Sequence, residues 1–267
     1  MGRLTLIGLG LHDEKDISLK GLEEARKADI IFLEQYTSLM AGFSLGNLEK
    51  IIGKKVIVVD RKEMEDKCGR VILENAKERS VALMVPGDPL IATTHIDLRI
   101  RAEKMGIKTR VIHAASIISA AIGLSGLQNY RFGRSVTIPF PEGITYETPY
   151  LVIRENRERN LHTLCFLDVK AEESRFMTIR EGLEAMLKVE EKMKGRVVTP
   201  KTLVVGIARA GSSESVVRSG FIEELLHYDF GPPPHIIIFT AETLHFMEAE
   251  ALITLTGAPP EIRRMVK

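Results

Sequence analysis

Short runs of apolar, largely β-branched residues recur along this chain, with stretches of helical period between them. In the first half the runs are residues 4–9, 30–33, 56–59, 81–85 and 109–112. Between them, residues 18–27 place Leu19, Leu22 and Ala25 on one helical face, and residues 93–105 do the same with Ile96, Ile100 and Met105. A strand read as a continuous apolar run is covered on both faces. The alternation therefore predicts an α/β fold built on mostly parallel sheets.

The stretch 123–133 is dense in Gly, Ser, Asn and charge, and after it the pattern restarts. Strands are expected at 135–139, 161–167, 203–208 and 235–239, with helices at 178–194, 221–226 and 244–255. A boundary near Gly133 gives two α/β domains, 1–133 and 134–267, each of ordinary domain size. In such proteins ligands sit beyond the carboxyl ends of the strands, in the crevice between domains.

Apolar residues make up 45% of the chain and charged ones 27%, which excludes a disordered or collagen-like polymer. Lys and Arg number 37 against 36 Asp and Glu, so no global field draws in a polyanion, and no direct nucleic-acid partner is expected. The two cysteines, Cys68 and Cys165, have no metal-ligand spacing and form no disulfide framework. No apolar run approaches the ~18 residues of a membrane span. The expectation is a soluble cytoplasmic protein without a metal site.

Several strand ends carry small residues that permit close backbone approach. The first loop reads Gly8-Leu9-Gly10-Leu11-His12-Asp13. A dinucleotide loop wants a third glycine where Asp13 stands, although Glu34 at the end of the second strand imitates its ribose-binding acid. Pro86-Gly87-Asp88-Pro89 ends the fourth strand, its prolines fixing the loop's shape. Asp88 is placed either to bind a ligand or to close an Asx turn, with Thr93 or Thr94 capping the next helix. His113-Ala114-Ala115-Ser116-Ile117 follows the fifth strand, with Ser116 in N-cap position. In the second half, Leu167-Asp168, Ala208-Arg209-Ala210-Gly211 and Pro232-Pro233-Pro234-His235 flank strands. Walker A, nucleophile-elbow and His-Glu-x-x-His patterns do not occur, so ATPase and hydrolase chemistry lack support.

Five segments taken together resemble the tetrapyrrole-methylase-like class of S-adenosylmethionine (AdoMet) methyltransferases. They are Gly8-Leu9-Gly10-Leu11 with residues 13–18, Glu34-Gln35-Tyr36-Thr37-Ser38-Leu39-Met40-Ala41-Gly42, residues 86–95, Gly206-Ile207-Ala208-Arg209-Ala210-Gly211, and Gly231-Pro232-Pro233-Pro234-His235. The class shares only a Gly-rich first loop and a Gly-Asp-Pro loop. The strings at 34–42 and 86–95 point more narrowly, to its diphthamide-synthesis branch.

The resemblance implies two α/β domains with AdoMet in the cleft between them, and a homodimer. It implies successive methylation of the amino group of 2-(3-amino-3-carboxypropyl)histidine on translation elongation factor 2. Cofactor contacts then fall on Leu11, Asp88, Ile91, Ser116, Ile117, Leu167, Ala210 and His235. Ala115 stands where that branch commonly has proline, and Ile91 where it has a smaller branched residue. No catalytic residue is assigned; His12, Tyr36 and His95 are candidate bases only, each read in preference as a packing or orienting residue. Two other readings stay open: methylation of a corrinoid-type tetrapyrrole, and an NAD-binding oxidoreductase using Gly8, Gly10 and Glu34.

Overall fold

A computed structural model describes residues 2–143 and 146–267. The chain forms two compact units: Met1–Ile117 with Lys170–Ser174, and Ile118–Val169 with Arg175–Lys267.

In the first unit β1 (Arg3–Gly8), α1 (Leu19–Lys27), β2 (Ile30–Glu34), α2 (Leu45–Ile52), β3 (Ile57–Val59), α3 (Arg70–Ala76), β4 (Ser80–Val85), α4 (His95–Lys104) and β5 (Lys108–Ile112) alternate as expected. Their strands form one sheet in the order β3-β2-β4-β1-β5, every pairing parallel. The Ser18 hydroxyl caps α1 by accepting the Gly21 N–H. Apolar side chains from both faces of the sheet enter two cores, one around Leu4, Leu6 and Phe32 and one around Ile7, Leu33 and Met84. Burial on both faces explains why β1, β2 and β4 read as largely apolar runs, while the edge strands β3 and β5 are partly exposed.

The second unit holds α5 (Ile117–Ser125), which starts on the last residue of the first unit, then β6 (Val136–Ile138), α6 (Thr148–Glu158), β7 (Thr163–Leu167), the paired two-residue strands β8 (Val169–Lys170) and β9 (Arg175–Phe176), α7 (Ile179–Met193), β10 (Leu203–Ala208), β11 (Val216–Phe221), α8 (Ile222–Leu225), β12 (His235–Phe239) and α9 (Phe246–Thr256). The order of its main sheet is β11-β10-β12-β7-β6. Only β6 and β7 pair in parallel; the other three pairings are antiparallel. The expectation of mostly parallel strands thus holds for the first sheet, and the second is mixed. Apolar runs look alike in either direction, so direction is set by the connections. The loop from Ala208 to Val216 is far too short for the crossover, a dozen residues or more, that a parallel neighbour requires. β11 itself, Val-Val-Arg-Ser-Gly-Phe, has no clear apolar period.

The contacts divide the chain after Ile117 rather than at Gly133, and the polar segment before Gly133 explains the difference. The Gln128 N–H donates to Glu248 Oε1 at 3.0 Å, and Arg131 pairs with Glu248 Oε2, tying 128–131 to α9. Residues that read as a linker supply a buried ionic network of the second unit.

Candidate active site

Because every strand of the first sheet runs the same way, the carboxyl ends of β1, β2, β4 and β5 share one edge and their loops meet there. Gly10 and Gly87 form a bridge: the Gly87 N–H donates to Gly10 O at 2.7 Å, and the Gly10 N–H returns to Gly87 O at 3.3 Å. A Cβ on Gly8 would lie 2.5 Å from Gly87 O and 2.7 Å from Ala114 Cβ, so only glycine lets the first, fourth and fifth loops close on one another. Asp16 holds the first loop, its Oδ2 accepting the Leu11 and His12 N–H groups at 3.1 and 2.7 Å. A Cβ on Gly42 would sit 2.5 Å from His12 Nε2, which puts the loop after β2 against the first loop.

The acid that imitated a ribose ligand is committed elsewhere. Glu34 is wholly buried and accepts the Tyr36 and Thr37 N–H groups at 3.1 and 3.2 Å and the Thr37 hydroxyl at 2.5 Å. Burial pushes its carboxyl up, against the pull of those hydrogen bonds. Asp13, in the place of the third dinucleotide glycine, caps a short 3₁₀ turn by accepting the Lys15 N–H at 2.8 Å. Neither residue offers itself to a nicotinamide nucleotide.

Asp88 closes the Asx turn expected of it and has a second partner on its other oxygen. Its Oδ1 accepts the Leu90 N–H at 3.1 Å, closing the Asx turn, and its Oδ2 lies 2.8 Å from His113 Nδ1. His113 opens the segment that the sequence singled out after the fifth strand, but sequence reasoning assigned it no role. Ile91 is 41% exposed on the same loop, while Leu11, Ser116 and Ile117 are half-buried on the loops after β1 and β5. Thr94 stands at the N-cap of α4 without a capping bond, and the Thr93 hydroxyl accepts the His95 N–H weakly at 3.4 Å.

In the second unit antiparallel pairing gathers its three expected residues. β12 runs against both neighbours, so its start lies beside the ends of β7 and β10: Ile236 pairs with Phe166 and His235 with Ala208. Leu167, Ala210 and His235 therefore share one edge. The Ile179 N–H at the start of α7 donates to His235 Nδ1 at 3.2 Å. The hydrogen of the neutral ring is thereby placed on Nε2, a buried atom with no partner among the described residues. Burial chiefly, with Arg209 nearby, pushes the imidazole down to about 4. Arg209, a second residue not anticipated, pins the proline loop through Nη1 to Phe230 O and Pro232 O at 2.7 and 2.6 Å.

Residues 3–226 match the family described as Tetrapyrrole (Corrin/Porphyrin) Methylases. The chain belongs to that family. This tetrapyrrole methylase family member is an AdoMet-dependent methyltransferase, similar to diphthine synthases along nearly its whole length. It is 51% identical over 95% of its length to the diphthine synthase of Methanocella arvoryzae, 98% of which is covered. To that of Methanosarcina mazei it is 47% identical, with 99% of this chain and 100% of the relative covered. A crystal structure of diphthine synthase superposes with a TM-score of 0.90 at 44% identity, covering 98% of this chain and 99% of the other.

The residues of the family member fit an adenosyl amino acid in each unit taken by itself. The first presents a carboxylate fixed from one side by His113 and an exposed aliphatic side chain, Ile91. The second presents the orphaned His235 Nε2–H beside the apolar Leu167 and Ala210.

Proposed function

We propose that this methyltransferase methylates, in successive steps, the amino group of 2-(3-amino-3-carboxypropyl)histidine on translation elongation factor 2, giving diphthine in diphthamide synthesis. The reading is supported above all by the likeness, across at least 95% of the chain, to proteins named diphthine synthase. On this reading AdoMet is held by Leu11, Asp88, Ile91, Ser116 and Ile117 of the first unit and by Leu167, Ala210 and His235 of the second. The protein works as a homodimer in the cytoplasm.

When bound, AdoMet supplies a sulfonium methyl for in-line displacement by an amine. Such a leaving group needs no proton, so the protein's work is alignment and exclusion of water. Asp88, kept in place by Leu90 N–H and His113, orients a ligand amino or hydroxyl group. The Gly8-Gly10-Gly87 contact closes the loops without a side chain between them. Burial pushes the phenol of Tyr36 up, so it stays protonated, and pushes His95 down to about 4, so it stays neutral. The last methylation, of a tertiary amine, requires no base; the earlier steps release a proton to water.

The test is direct. The protein is incubated with AdoMet and elongation factor 2 carrying the unmethylated side chain, and the mass of the factor is followed. Methyl-sized increments are expected. A factor of unchanged mass, or a corrinoid precursor that gains the methyl groups instead, would overturn the reading.

A further inference from the structure

A cavity of about 370 Å³ opens within the first unit between the π-helical turn Lys62–Asp66 and the start of α4. It lies at the far end of the loop that carries Asp88 and Ile91. Met64 and Leu98 give it apolar surface, and Glu65, His95, Asp97 and Arg101 are its polar wall. Its size suits a small ligand or one long side chain.

Three polar groups of that wall are left with bonding capacity. The guanidinium of Arg101 uses Nε on Asp97 Oδ2 at 2.5 Å, so its two terminal amino groups have no hydrogen-bond partner among the described residues. Glu65 meets Arg61 Nε only at 3.9 Å, beyond hydrogen-bond reach. His95 is 1% exposed, and its Nδ1 lies 2.8 Å from the Thr93 hydroxyl and 3.3 Å from Pro89 O. A carbonyl only accepts, so Nδ1 carries the hydrogen and Nε2 is a bare lone pair. That atom is buried with no hydrogen-bond partner among the described residues, and Glu34 Oε1 lies 3.9 Å from it. The residues lining this recess thus include a cationic fork, a carboxylate paired with Arg61 only at 3.9 Å, and a neutral acceptor. π-helical turns of this kind are frequent at functional sites.

We infer that this cavity receives the amino- and carboxylate-bearing side chain of the methyl acceptor, with Arg101 taking the carboxylate and Glu65 accepting an N–H of the neutral amino group, whose lone pair stays free to attack. The inference rests on the proposed methyl-acceptor reading and names the site that reading leaves blank. Arg101 offers its two free amino groups to a carboxylate as a bidentate fork. The donor that His95 Nε2 lacks is one that the acceptor's nitrogen carries. One loop would then serve donor and acceptor, Asp88 and Ile91 at one end and His95 at the other.

Two variants test it, Arg101→Met and Glu65→Gln, both at partly exposed positions where folding tolerates the change. Calorimetry should show AdoMet affinity unchanged in each. KM for the modified elongation factor should rise about 10- to 100-fold, the range for losing a hydrogen bond to a charged group. The decisive readout is discrimination. Wild type should prefer the acceptor over one whose carboxylate has been converted to a carboxamide, and Arg101→Met should lose that preference. If wild type methylates the factor and both variants keep its KM and its preference, the cavity assignment is overturned alone. If wild type transfers no methyl group at all, the functional reading falls and takes the assignment with it.

Discussion

The two sheets present their candidate residues by opposite means. In the first unit, parallel pairing sends the ends of β1, β2, β4 and β5 to the same edge, and their loops lock together through Gly10 with Gly87, His12 with Gly42 and Asp88 with His113. In the second, the edge mixes two strand ends with one strand start, and His235 qualifies because β12 runs backwards between β10 and β7. A parallel sheet builds a site from loops alone. A mixed sheet adds residues of the strand itself, stiffened by its ladder. The same contrast separates the buried acids. Glu34 is surrounded by neutral donors, and burial raises its carboxyl. Glu248, equally inaccessible, faces burial too, but hydrogen bonds from His162 and from the Gln128 and His245 N–H groups win and hold it at about 2.

The largest expected effect breaks the second unit alone. Glu248→Ala takes the carboxylate from the buried His162 and the half-buried Arg131 and should remove about 3–5 kcal/mol from unfolding stability, read by denaturant titration. The wild-type contribution also has a pH signature. A carboxyl lowered from 4.5 to about 2 stabilises fully above pH 4.5, and the gain is lost as the pH falls through about 2.

Gly8→Ala sharpens the other side of the contrast, since its Cβ would press on Gly87 O and Ala114. We expect destabilisation of about 1–3 kcal/mol from the overpacking and a fall in AdoMet affinity of more than about tenfold, measured by calorimetry. Asp88→Ala should cost about 1–3 kcal/mol of AdoMet binding, and His113→Ala less, because the Leu90 N–H still orients the carboxylate. An equal loss in both would mean that His113 binds the ligand itself. The smallest effect concerns acid stability. His95 and His235 are each held neutral, with folded values near 4 against 6.5, so both favour unfolding as the pH falls from about 6.5 to 4. Replacing His95 with Asn should flatten that slope in a stability profile, and an unchanged slope would show that the ring is not kept neutral by its burial.

The strands of the first unit were legible in the sequence, whereas the helical face read at Ile96, Ile100 and Met105 is exposed. The runs at 30–33 and 81–85 fall inside β2 and β4, because a strand buried on both faces has to be apolar at every position. β11 was not, since an edge strand with Arg218 and Ser219 at its centre needs no apolar period. The stretch before Gly133 misled for a related reason: charge in sequence reads as solvent, yet Arg131 spends its charge on the buried Glu248. Glycines at 8, 10 and 87 with Asp88 marked a candidate site. The partner of Asp88 could not be read, because His113 lies 25 positions away.

The sequence by itself determined the buried strands of the first half, their alternation with helices, and the loops of small residues and prolines at 8–13, 86–95 and 232–235, since hydrophobic period and backbone freedom are local properties of the chain. Only the tertiary structure decided the direction of the second sheet, the burial of Glu34 and the pairing of Asp88 with His113. Each of these depends on which distant segment comes to lie alongside, and packing, not local preference, makes that choice.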